Sequence, residues 1–173
     1  MNLAQVSVPR FQSTLTSPLP GVSIDGWKNW LTMLEIQRLP DGREVIRPMR
    51  AISESGGFGS YDMRPRRLVE LGYAHNLRYE RTEAGRYIHT CDFLSPWTQD
   101  RFLEDPLAQQ RAVARSAALY HKGLTSGELV RPKEASLAGV LAVLHRGGKG
   151  ALKGFPNLFD ETRALYEAAR GAF

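Results

Sequence analysis

The chain has 173 residues, of which 42% are hydrophobic and 24% are charged, a balance that is ordinary for a globular domain. A chain of this length can bury a core without disulfides or metals, so we expect a single domain. Its formal net charge of +5 favours a polyanionic partner, and nucleic acid, anionic cell-wall polymer or an acidic subunit would each meet that condition. Nucleic acid is the weakest of the three, because the sequence contains no arginine-rich arm and no nucleic-acid-binding fingerprint.

Several other classes are excluded by simple patterns. No apolar run reaches the roughly 18 residues that a membrane span needs, so none is predicted. The first residues, MNLAQVSVPRF, lack the basic start and apolar block of a signal peptide, and we expect synthesis in the cytoplasm without secretory export. The single cysteine, Cys91, and the scattered histidines give neither an internal disulfide nor a zinc-binding spacing. No metal and no cofactor is predicted.

The N-terminal segment differs from the rest in composition. Prolines at positions 9, 18 and 20 stand among Ser, Thr and Gln without a helical or strand period, which is typical of an extended arm. We therefore divide the chain into an arm at 1–24 and one domain at 25–173. We expect the arm to dock on neighbouring subunits through its isolated apolar residues, namely Val6, Val8, Phe11 and Leu15.

The segment from Trp27 to Ile52 admits two interpretations. A helix is indicated by the spacing of its apolar residues, with Asp25 as a cap; these residues are Trp27, Trp30, Leu31 and Leu34. A hairpin is indicated by the turn signal Pro40-Asp41-Gly42 between two runs of similar length. We favour the hairpin, with strands at about 30–38 and 43–52.

Further along, a glycine-rich loop at 53–60 precedes a short helix at 64–71 that stops at Gly72. A second hairpin is predicted from 77–82 and 86–94, on either side of the turn signal Glu83-Ala84-Gly85.

The C-terminal half is predicted to be helical. One helix opens at Ser95-Pro96, and a second runs from Pro106 to Gly123. The third follows the capping residue Ser136, ends at Gly147-Gly148 and is apolar all round, so we expect it to be the buried central helix. A short turn at 149–154 and a last helix at about 159–170 complete an α+β fold that is mostly helical, with one or two β-hairpins.

Glu54 is the first candidate for chemistry, because it begins the motif Glu-Ser-Gly-Gly. A carboxyl group beside a glycine-rich loop can be partly desolvated, which raises its pKa enough to protonate a glycosidic oxygen near neutral pH. Gly56 and Gly57 would let the backbone approach a sugar closely. The alternative is that Glu54 is an exposed loop carboxylate beside a turn.

Two blocks of sequence resemble one family. The first joins Glu-Ser-Gly-Gly at 54–57 to Gly-Ser-Tyr-Asp at 59–62 and a helix ending Leu-Gly-Tyr. The second contains Phe-Leu-Glu-Asp at 102–105, Gln109-Gln110 and the closing segment SLAGVLAVLHRGGKGALKGF at 136–155. Together they cover about 53–75 and 97–155, and they resemble bacteriophage lysozymes and lytic transglycosylases of the goose-lysozyme-like group. The resemblance implies a lysozyme-like domain that acts on peptidoglycan.

By this resemblance, Glu54 would be the general acid, Tyr61 would line the sugar cleft and His145 would lie near the cleft floor. Alternatively, Tyr61 and His145 are packing or capping residues. The chain departs from the family in three places. Asp62 stands where a Gln is expected, and the stretch between Gly57 and Gly59 is much shorter than the loop of the family. The catalytic Glu of the family normally ends a helix, whereas the segment before Glu54 has the pattern of a strand. Glu54 and Asp62 could instead form a catalytic carboxylate pair, about 5 Å apart for retaining chemistry or about 6.5–9.5 Å apart for inverting chemistry.

Two functions stay open. The chain is expected to be a bacteriophage virion component of the tail, baseplate or neck that cleaves host peptidoglycan during entry. The alternative is a non-catalytic structural adaptor of the phage tail that keeps the fold without the activity. In both cases its partners would be other virion subunits, and the assembled particle would carry it out of the cell.

Overall fold

The computed structural model describes residues 17–39 and 41–173. These residues form an α+β fold that is mostly helical with two small antiparallel hairpins, and this confirms the predicted class. The helices are α1 (Ile24–Glu35), α2 (Pro65–Glu70), α3 (Gln99–Glu104), α4 (Pro106–Ser126), α5 (Leu137–Gly147) and α6 (Asp160–Ala169), with a 3-10 helix at Lys149–Gly154. The strands are β1 (Ile36–Arg38), β2 (Glu44–Ile46), β3 (Ala74–Arg81) and β4 (Tyr87–Phe93).

Helix α1 replaces most of the first predicted strand. The Ser23 side chain accepts a hydrogen bond from the Gly26 amide and caps the helix, and the apolar stripe of α1 is buried. The indole of Trp30 donates to the Ala138 carbonyl oxygen at 2.9 Å, which ties α1 to α5. The predicted hairpin is therefore wrong over 30–35, because burial of a helical stripe outweighs the turn signal that follows it. Only the short pair β1–β2 surrounds the predicted turn, in the register Gln37↔Val45.

Most of the predicted arm, residues 1–16, lies outside the described residues. Its last part belongs to the folded domain, because Leu19 is only 1% exposed and sits in the hydrophobic core. The domain therefore begins before Asp25, and any free arm would end before Leu19.

The glycine-rich loop leads into α2 as predicted, and Gly72, with φ of 78°, ends that helix. The second hairpin is confirmed: β3 and β4 are antiparallel, with Tyr79 opposite His89.

Helix α3 begins later than predicted, at Gln99, because the Thr98 side chain caps it.

Helix α5 is the buried centre of the molecule, as its apolar sequence predicted. Ser136 caps it through the Gly139 amide, and the ring of Tyr166 in α6 packs so closely on Gly139 that a Cβ there would lie 2.4 Å from it. Helix α4 packs against α5 and continues past Gly123 to Ser126, where the left-handed Gly127 ends it. The predicted end at Gly123 is therefore wrong. That glycine instead admits the side chain of Leu129, which lies 3.0 Å from the position of a Cβ.

Within the described part of the chain, no helix combines the length and the apolar character that crossing a membrane requires.

Candidate functional site

His145 anchors the segment that follows the glycine-rich loop. Its Nε2 atom lies 2.6 Å from the main-chain oxygen of Tyr61, and the residue is only 9% exposed. Burial lowers the pKa of His145 to about 4, and this outweighs the opposing effects of the Tyr61 hydrogen bond and of Asp62. The imidazole is therefore neutral near pH 7, and Nε2 carries the proton that it donates to the carbonyl oxygen. His145 holds the backbone in place, which is the packing role given above as the alternative, and its place near a cleft floor stays a prediction.

The side chain of Tyr61 is also turned inward, with only 3% of the residue exposed. Burial raises the pKa of Tyr61 well above its usual value, and the nearby Glu35 carboxylate raises it further. The polar neighbours of the hydroxyl are Glu35 and Gln110. The predicted cleft tyrosine thus belongs to a small polar cluster of Glu35, Tyr61 and Gln110.

Glu35 is the last residue of α1, and it is half-buried. Its main-chain oxygen accepts a hydrogen bond from the Arg47 amide at 2.8 Å, which fixes the end of the helix against the start of the next segment. We did not select Glu35 from the sequence, because 30–38 was assigned to a hairpin. The helical spacing of Trp27, Trp30, Leu31 and Leu34 is the signal that places a glutamate at a helix end here.

Glu54 lies in a different environment. Its side chain is 82% exposed, and its Oε2 atom is 2.9 Å from Nη2 of Arg86, which is 65% exposed. The expected desolvation of Glu54 is therefore wrong, because the loop presents the carboxylate to water and to a surface arginine.

Asp62 is buried and paired. Arg64 Nη2 lies 3.2 Å from its Oδ2 atom, and Arg146 Nη1 contacts the same oxygen. Burial raises the pKa of Asp62, but Arg64, Arg146 and Arg47 outweigh it and leave the pKa below its usual value. Asp62 is thus a fixed, ionised group. Its partners differ from that of Glu54, which pairs with Arg86, so the proposed pair of Glu54 and Asp62 stays a prediction.

Gly56 and Gly57 are buried by protein. A Cβ at Gly57 would lie 2.0 Å from Asp62 Oδ1, and one at Gly56 would lie 2.9 Å from the main-chain oxygen of His89. The two glycines were expected to admit a sugar, but the space that they leave is filled by the Asp62 side chain and by β4.

Gln109, which belongs to the second block of the family resemblance but was given no role there, positions the glycine-rich loop. It is 1% exposed, and its Oε1 atom accepts a hydrogen bond from the Ser60 amide at 2.9 Å. Its amide group donates to the main-chain oxygens of Met49, Phe102 and Leu103. Gln109 therefore joins the glycine-rich loop to α3 and α4, directly beside the cluster around Tyr61.

We found no family model, curated protein or solved structure that matches this chain. The family resemblance therefore stays a prediction. The geometry offers one half-buried carboxyl group, Glu35, next to a hydroxyl and an amide, which together could orient a polar ligand and exchange a proton with it.

Proposed function

We propose that this chain is a bacteriophage virion component whose lysozyme-like domain cleaves peptidoglycan, with Glu35 as the general acid. The observation that carries this proposal is the position of Glu35 at the end of α1, beside the hydroxyl of Tyr61. In the family that the chain resembles, the catalytic glutamate ends a helix, and the resemblance assigns the cleft tyrosine to Tyr61. Glu35 ends a helix, whereas Glu54 does not.

The environments of the other carboxylates support the same choice. A general acid has to reach the glycosidic oxygen in a partly dehydrated site, and Glu54 is surrounded by water and held by Arg86. Asp62 is committed to Arg64 and Arg146, which keep it ionised and unable to donate a proton. Glu35 would protonate the leaving oxygen, and Tyr61 and Gln110 would orient its carboxyl group.

A zymogram on purified peptidoglycan tests the proposal, with wild type, Glu35→Gln and Glu54→Gln compared at equal concentration. We expect wild type and Glu54→Gln to clear the gel, and Glu35→Gln to lose at least about 100-fold in rate, since a positioned general acid contributes about that much or more. Melting temperatures of all three proteins show whether each is folded. Clearing by Glu35→Gln at the wild-type rate would place the acid elsewhere, and a folded wild type that clears nothing would exclude the enzyme.

The alternative is a non-catalytic adaptor of the phage tail, and one observation favours it. Tyr61, Asp62 and His145 are all engaged with other parts of the protein. Two surface cavities of about 320 and 360 Å³ also lie away from these residues, because neither is lined by Glu35, Glu54 or Tyr61.

Deletion of residues 1–16 separates the role in assembly from the role in catalysis. Because Leu19 is part of the core, this truncation is expected to leave the domain folded, whereas deletion of 1–24 removes a core residue and the cap of α1. We expect the shorter truncation to clear peptidoglycan as wild type does but to be missing from assembled particles. If the truncated protein still joins the particle, docking through the arm is wrong.

A further inference from the structure

Three arginines from separate segments surround Asp62. Arg64 and Arg146 both contact its Oδ2 atom, and Arg47 lies close enough for its charge to lower the pKa of Asp62. On the outer side, Arg146 Nη2 is 2.8 Å from Oε2 of Glu161. We call Arg47, Arg64 and Arg146 the arginine cluster.

Arg47 is the unusual member of the arginine cluster. It is only 6% exposed, whereas the side chains of Arg64 and Arg146 are 25% and 22% exposed. Its Nε atom is buried without a hydrogen-bond partner, as are Arg64 Nε and Asp62 Oδ1. Among residues 17–39 and 41–173, no carboxylate forms an ion pair with Arg47, although Asp62 lies near enough to favour its charge. The rest of the chain cannot supply one from a side chain, because residues 1–16 and Pro40 include no Asp or Glu.

The charges of the cluster do not balance. Three guanidinium groups face two carboxylates, and one of these, Glu161, has a side chain that is 82% exposed and therefore strongly screened by water. Buried charges in proteins are normally paired, and a buried donor without a partner often marks the place of an ion or a ligand group.

The arginine cluster also reaches the surface. Solvent reaches two of its members, because the side chains of Arg64 and Arg146 are only partly buried. Guanidinium groups present paired N–H donors in one plane, and this geometry matches the oxygens of a carboxylate or a phosphate.

We propose that the arginine cluster of Arg47, Arg64 and Arg146 binds an oxyanion group, a carboxylate or a phosphate, of a ligand that arrives from solution. The proposal goes beyond glycan cleavage and does not depend on Glu35 being the acid. The bound group supplies the missing negative charge next to Arg47 while Asp62 keeps the three guanidinium groups together.

The test measures the melting temperature at pH 7 and constant ionic strength, in sodium phosphate and in sodium acetate, each against sodium chloride. We expect a rise of about 3 °C or more at an anion concentration ten times the Kd, because a ligand that binds only the folded state stabilises it. A rise in phosphate alone assigns the site to a phosphate group, and a rise in acetate alone assigns it to a carboxylate. Equal melting temperatures in all three salts would overturn the proposal.

Arg47→Met is the main variant, and Arg66→Met, at an exposed arginine of α2, is the matched control. We expect Arg47→Met to lose the anion-dependent rise and Arg66→Met to keep it. If Arg47 has only a structural role, Arg47→Met will be less stable in every salt and will keep the full rise. Equal loss in both variants would indicate nonspecific screening. Arg47→Lys provides a second measurement if Arg47→Met does not fold. Lysine keeps the charge but lacks the planar pair of donors, so we expect calorimetry to show that this variant binds the anion at least about tenfold more weakly than wild type.

Discussion

The two ends of the glycine-rich loop, only eight residues apart, differ sharply in their surroundings. At the first end, Glu54 is held by one exposed arginine and lies in water. At the second end, Asp62 is buried among three arginines, and the preceding carbonyl of Tyr61 is held by His145. The contacts that fix the loop in the fold are therefore made by Tyr61 and Asp62 at its second end. The motif Glu-Ser-Gly-Gly does not by itself show which end of the loop is buried.

The strongest expected contrast between the two ends comes from Asp62→Ala. Removal of the carboxylate leaves the partly buried guanidinium groups of Arg64 and Arg146 without their common partner. Loss of one member of a buried ion pair costs about 4 kcal/mol of unfolding free energy. Urea denaturation measures this loss. Asp92→Ala is the control, because Asp92 pairs with Arg78 on the surface, where water screens the pair, and its removal is expected to cost much less. Similar losses in the two variants would show that Asp62 is not a buried anchor.

The buried end should also respond to pH through His145. The pKa of His145 is about 4 in the folded state against a usual value of 6.5, so the unfolded state binds the proton first as the pH falls. The stabilisation is complete above pH 6.5 and is lost between pH 6.5 and about 4, with a total near 3 kcal/mol. Asp62 acts in a lower window, because its depressed pKa contributes stability that is lost only below its usual value of 3.8.

Urea denaturation from pH 7.5 to 4.5 measures this slope in wild type and in His145→Gln, whose amide can still donate to the Tyr61 carbonyl. We expect the variant to lose most of the pH dependence above pH 4.5. An unchanged slope would mean that another group causes it.

Gly57 tests the packing between the two ends. An added methyl group at Gly57 would lie 2.0 Å from Asp62 Oδ1 and 2.9 Å from the main-chain oxygen of Asp62, so the Asp62 side chain or the loop has to move. We expect Gly57→Ala to lose about 2 kcal/mol, a usual cost of overpacking. Gly150→Ala is the matched control, because no atom lies within 4 Å of the added Cβ. Thermal melting that places both variants at the wild-type temperature would contradict this packing.

Local patterns predicted much of this fold. The all-round apolar run after Ser136 identified α5, and the turn signal at 83–85 identified β3–β4, since both features act within one element. Helix α1 was missed where two local signals competed, and its position was decided by burial of Trp30 against Ala138, more than a hundred residues away in sequence.

The candidate site was harder to predict for the same reason. Tyr61 was predicted as a site residue from its own segment, but its neighbour Glu35 comes from another segment, and the two meet only once α1 has been placed on the core. The arginine cluster joins residues 47, 64 and 146, and no spacing in the sequence indicates that these three meet.

The smallest expected effect belongs to the exposed end of the loop. Glu54→Gln removes one charge of a surface ion pair with Arg86, and such pairs usually contribute less than about 0.5 kcal/mol, with even less at high salt. The same substitution should leave peptidoglycan clearing unchanged, because we assign the acid to Glu35. A measurement of both properties on one variant is decisive, since stability and activity would fail for different reasons. Unchanged stability with lost clearing would return the general acid to Glu54, and the exposed end of the loop would then carry the chemistry while the buried end only supports it.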